Sequence, residues 1–151
     1  MSISDWGSIG EIVSGIGVIL SLIYVGVQVR KNSQDVRDNT AQQILNLFVT
    51  INHSPDELLL AAFLKLYRDE PFDKHEQMRY SFYLREQLET YHSAYYHYKR
   101  GNLDQSLFRA VEQRIKNNSQ FPQWREVWEI ANNVYSREFR DYVNGLLQEN
   151  A

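Results

Sequence analysis

Cysteine is absent from the 151 residues, and proline occurs only three times and glycine seven. The first absence excludes disulfide frameworks, thiolate zinc sites and cysteine nucleophiles. So few prolines and glycines, with 43% hydrophobic and 13% aromatic residues, exclude a collagenous or disordered chain. Charge of one sign is lacking too: 16 Lys and Arg face 19 Asp and Glu, for a net −3. No basic excess exists to release counterions, so no nucleic-acid partner is expected. No stretch alternates with period two long enough for a sheet. One domain's worth of chain remains, and its fold class is expected to be all-α.

A mean hydropathy of −0.50 conceals an uneven distribution. From Ile12 to Val29 the chain carries no charge, and as a helix that stretch covers roughly 27 Å, close to the hydrocarbon thickness of a bilayer. Ile9 and Gly10 extend it. Trp6 on one side and Arg30-Lys31 on the other match an aromatic anchor and a snorkelling basic pair. A cleaved signal peptide would need a basic start, whereas Asp5 is the only charge before Glu11, and Val27-Gln28-Val29 is no small-residue cleavage site. A buried core helix would be shorter and amphipathic. The expectation is therefore a transmembrane helix over 9–29. All Lys and Arg follow residue 29, which places residues 1–8 outside and everything from Arg30 onward in the cytoplasm.

At 100° per residue, Gly10, Ser14, Gly17, Ser21, Tyr24 and Gln28 fall on one line, opposite Ile12, Ile16, Ile19, Leu20, Ile23 and Val27. In lipid, greasy residues gain nothing from hiding, so a small-residue line is where two helix backbones approach. The 4-3 spacing favours left-handed crossing, and the chain itself is the expected partner, as a homo-oligomer. Glu11 lies near the outer edge of the span as an intramembrane polar site or a carboxylate that snorkels to the interface. Arg30, Lys31 and Arg37 are offset by Asp35 and Asp38, short of the cluster of about 4–8 basic residues that makes a lipid switch.

Residues 30–52 read as a helical stalk that becomes amphipathic through Ile44, Leu47, Phe48 and Ile51. The rest, 53–151, reads as a compact domain of about five helices. Ser54-Pro55-Asp56-Glu57 signals the first start, with Ser54 as cap and Pro55 at the first helical position. Asp73 through Glu76 signals the second, which Gly101 should stop. Asp104, Pro122 and Ser136 open the remaining three. The helix after Asp73 should be central, with Leu84, Leu88, Tyr91, Tyr95 and Tyr98 on its core stripe and Met78, Phe82 and Tyr96 as a second apolar side. Tyr83, off the stripe, is expected to tolerate change better than Tyr95.

Trp6, Ile9-Gly10, Leu22-Ile23-Tyr24, Gln28 through Asn32, Tyr95-Tyr96-His97-Tyr98 ending at Gly101, Glu138-Phe139 and Tyr142-Val143 span nearly the whole chain. Together they resemble a family of uncharacterised bacterial proteins with an N-terminal membrane anchor and a small helical cytoplasmic domain. The resemblance implies a place at the bacterial inner membrane and carries no chemistry. Chemical motifs are sparse. Glu89-x-x-His92 has metal-ligand spacing, but a di-iron bundle needs two such pairs. Neither a nucleophile elbow nor a phosphate-binding glycine loop is present. No catalytic residue, metal or cofactor is therefore assigned. Tyr91, His92 and Tyr95 mark a candidate pocket on the tyrosine-rich helix. Three classes follow: a self-associating membrane-anchored scaffold with an unassigned partner protein, a homo-oligomeric pore lined by the small-residue stripe and Glu11, and a ligand sensor or enzyme built on the tyrosines.

Overall fold

A computed structural model describes residues 3–53 and 55–149, with side chains from residue 14 onward. The fold is all-α. Six α-helices follow in order: α1 (Ile3–Asn52), α2 (Glu57–Arg68), α3 (Lys74–Lys99), α4 (Gln105–Asn118), α5 (Pro122–Ala131) and α6 (Arg137–Glu149). A 3-10 turn, Asn132–Val134, joins the last two, and no strand occurs among the described residues. The chain divides into two units, one up to Asp38 and one from Asn39 onward.

The described residues of the first unit are helix alone. Its apolar side chains from Ile16 to Val29 are 53% to 69% exposed on every side. This helix is long and apolar enough to cross a membrane.

The second unit begins inside α1, where Thr40, Ile44 and Phe48 turn inward at four-residue spacing and are buried. Leu45, Leu47 and Val49 point outward. At α2 the start differs from the expected one. Ser54 lies outside the described residues, and the cap is Asp56, whose Oδ1 accepts from the Leu59 backbone N–H at 2.8 Å. A carboxylate there also meets Arg79 Nε at 2.5 Å, an ion pair that Ser54 could not have made. Helix α3 opens on a full capping box: Asp73 accepts from His75 and Glu76, and Glu76 accepts from the Asp73 N–H. Glu76 is buried, and Lys65 of α2 neutralises it at 2.7 Å. The helix stops where the sequence implies, with Gly101 at φ 72°, a left-handed conformation that a side chain disfavours.

Helix α3 is central and packs against α2, α4 and α5, while α4 also packs on α6. Leu84 and Leu88 are fully buried, each contributing about 1.5–3 kcal/mol by burial. The expected stripe of Leu84, Leu88, Tyr91 and Tyr95 is buried, but the second side of the helix that joins it in the core is not the expected one. Tyr80, Tyr83 and Gln87 are inside, whereas Met78, Phe82 and Tyr96 are about half exposed. The reason is position: α2 covers the N-terminal half of α3 along the Tyr80–Tyr83–Leu84 side, where Phe63 meets Tyr80 and Tyr83 edge-on. Tyr83 is thus a core residue, as Tyr95 is.

Candidate functional site

Within the first unit, Ser14, Gly17, Ser21, Tyr24 and Gln28 are all exposed. Gly10 and Glu11 fall among residues 3–13, whose side chains lie outside the described set. Ser21 Oγ donates to the Gly17 carbonyl at 2.9 Å, which satisfies the hydroxyl within its own helix. A Cβ added at Gly15, Gly17 or Gly26 would meet nothing within 4 Å. A larger residue at those places therefore clashes with nothing in its own chain.

The three residues of the candidate pocket part company. Tyr91 and Tyr95 are separated by one turn of α3, and that turn carries them to different neighbours. Tyr95 stacks toward α4 and α6 against Phe108, Phe139 and Tyr142, at centroid distances of 4.9 to 6.2 Å. His92 and Tyr95 border a cleft of about 470 Å³ shared with Lys99, Ser136 and Arg137. There His92 Nε2 lies 3.3 Å from Ser136 Oγ. That hydroxyl also accepts from the Phe139 backbone N–H at the start of α6, at 3.4 Å, and the imidazole lies against the rings of Tyr135 and Phe139. Both groups thus serve to seat α6 on α3. Glu89, the other half of the E-x-x-H spacing, turns to the Tyr135 hydroxyl. Among the described residues no group of three acidic or imidazole side chains is placed to hold a metal.

Tyr91 instead joins a buried polar network that sequence reasoning did not anticipate. Its hydroxyl donates to Gln87 Oε1 at 2.9 Å and accepts from Asn118 Nδ2 at 2.9 Å. The same Asn118 nitrogen donates to Gln87 Oε1 at 3.0 Å. Gln87 Nε2 donates to the Tyr83 hydroxyl, and Tyr83 donates in turn to Asn52 Oδ1 at 2.9 Å. Three helices, α1, α3 and α4, meet through these five side chains. Beside them the Arg114 guanidinium lies over the Phe48 ring, 4.7 Å from its centre. Burial, which disfavours the phenolate, pushes the Tyr83 and Tyr91 hydroxyls above the usual tyrosine range. They act as neutral hydrogen-bonding groups. The signal in the sequence is a polar column on α3, Tyr83, Gln87 and Tyr91 at four-residue spacing, lying on the face that buries.

Compared with known proteins, the chain matches no family model, no curated protein and no solved structure.

Proposed function

We propose that the chain is a single-pass, membrane-anchored scaffold that self-associates through its N-terminal helix and carries its helical domain on the cytoplasmic face of a bacterial inner membrane. The observation that carries this reading is the naked apolar surface of α1 from Ile16 to Val29, more than half exposed on all sides. A soluble monomer would leave such a surface in water at a large cost, whereas a bilayer core takes it up along its whole length. The distribution of Lys and Arg, all after residue 29, supports the orientation. The Gly/Ser line supports self-association, since Gly17 offers backbone contact that an Ile or Leu would prevent. The resemblance to anchored bacterial proteins agrees with this arrangement.

Gly17→Leu tests it. Because nothing in the chain lies near that position, any loss of assembly belongs to contact between copies. The variant should lose the oligomer by mass in mild detergent while Ile16→Leu retains it. A monomeric parent chain, or a Gly17→Leu variant that keeps the parent's mass, refutes association through the stripe. Labelling of Ser2→Cys but not Asn150→Cys from outside intact cells is expected, and the reverse pattern refutes the orientation.

A further inference from the structure

The second apolar side that the sequence puts on α3 is left uncovered by the fold. Met78 is 56% exposed and Phe82, one turn on, is 54% exposed, while Ile130 of α5 is 63% exposed. Met78 and Ile130 line a cleft of about 370 Å³ between the first half of α3 and α5. Large apolar side chains scattered singly are ordinary on a protein surface, but several gathered on two adjacent helices around one cleft mark a contact site.

Two charges of opposite sign stand on the same cleft. Lys74 opens α3 and Glu126 lies midway along α5. Both are exposed, and neither forms an ion pair among the described residues, although Lys65, Arg79, Lys116 and Arg137 all do. That combination sorts the occupants. An anionic lipid surface or a nucleic acid would meet Glu126 with like charge, and a uniformly acidic or basic peptide would be repelled by one member of the pair. A face that carries apolar side chains with one cation and one anion is able to complement itself. Under a two-fold rotation residue i meets residue j and j meets i, so each copy supplies the charge that the other lacks.

We infer that this face of α3 and α5 is a two-fold contact between the helical domains of two copies of the chain, in which Lys74 of each copy pairs with Glu126 of the other and Met78 and Ile130 lose their exposure to water. The inference rests on the self-association proposed above and extends it from the span to the domain. Copies whose spans lie side by side present their domains to one another at high effective concentration, so a contact of a few side chains suffices where it would not between free molecules.

Because the chain has no cysteine, one introduced at exposed Ile130 reports on this face alone. The full Ile130→Cys chain in mild detergent, treated with a short bis-maleimide, should give a covalent dimer in far higher yield than Gln113→Cys, an exposed site of α4 outside the cleft. Adding Lys74→Glu or Glu126→Lys sets like charges opposite each other at both symmetric places and should cut the linked fraction about 5- to 30-fold, two exposed ion pairs each turned from attraction to repulsion. The two reversals together exchange the charges and should restore the parent's yield. Both positions are exposed, so either reversal should melt with the parent. Linking at 130 no better than at 113 overturns the inference, and so does a yield indifferent to the single reversals or not restored by the double one. Mass in the same detergent reads the span separately. An oligomer by mass without linking at 130 refutes this face and leaves association through the span standing, whereas charge-dependent linking that survives Gly17→Leu supports the face and refutes the stripe.

Discussion

Replacing Gln87 with Met isolates the buried network, because Met matches Gln in length and helix propensity while removing both polar ends. Three hydrogen bonds disappear, those with Tyr83, Tyr91 and Asn118. None of the partners is left wholly unpaired: Tyr83 keeps Asn52, and Asn118 keeps Tyr91. At about 1 kcal/mol net for each bond the loss is about 3 kcal/mol, with apolar Met in a 4% exposed site returning some of it. A unit running from Asn39 onward unfolds with an entropy of about 0.24 kcal/mol/K. The melting temperature should therefore fall by about 8–12 °C. Near-ultraviolet circular dichroism of the full chain in detergent reads this from the domain's own aromatic residues. Gln113→Met is the control, an exposed glutamine of α4 that bonds only Asn117, and it should stay within about 0.5 kcal/mol of the parent. A Gln87→Met variant that melts with the parent would mean that the five side chains do not form one network and would undo the account of how α1 is held.

Two further outcomes follow from the titrating groups. Burial raises the pKa of Tyr80, Tyr91, Tyr135 and Tyr142 in the folded chain; stability from these groups is whole below pH 10 and is lost as pH rises from there through the folded values, so their ionisation, followed residue by residue by NMR of ring-labelled tyrosine, should appear together with loss of helix, and ionisation of these four at the ordinary tyrosine pKa without unfolding would refute their burial. Asp56 and Asp73 move the other way, Asp56 through its hydrogen bond from Arg79 and Asp73 through the backbone N–H of Glu76; their capping contribution is present above the usual aspartate pKa and fades as pH falls through the lowered one, so Asp56→Ala should lower the melting temperature at neutral pH and make little difference at strongly acid pH.

Local chemistry made most of the helix boundaries legible. Asp73, Asp104, Pro122 and Gly101 act through neighbours within a few residues, and a sequence displays those directly. What stayed hidden depends on partners far along the chain. Tyr83 looks peripheral by periodicity, and only Asn52, 31 residues away, and Phe63 of α2 make it interior. Met78 and Phe82 look like core residues for the converse reason, since nothing in the sequence tells which side of a long amphipathic helix its neighbours will cover. The pocket expected around Tyr91, His92 and Tyr95 assumed that residues one turn apart share surroundings, whereas Tyr91 faces Phe48 and Asn118 and Tyr95 faces Tyr142.

The division of labour within α1 has a consequence for how the domain could ever be shed. Ile44 and Phe48 belong to the core of the second unit and Asn52 bonds to it through Tyr83, yet all three are covalently part of the same uninterrupted helix as the apolar stretch. A protease cutting the exposed connector at Pro55 would sever the backbone and free nothing, because the severed strand of chain remains clasped by two buried side chains and by the hydrogen bond to Tyr83. Release requires a cut upstream of Asn39, in helical backbone that proteases handle poorly. An exposed connector is thus a place where cleavage has little consequence for the attachment of the domain.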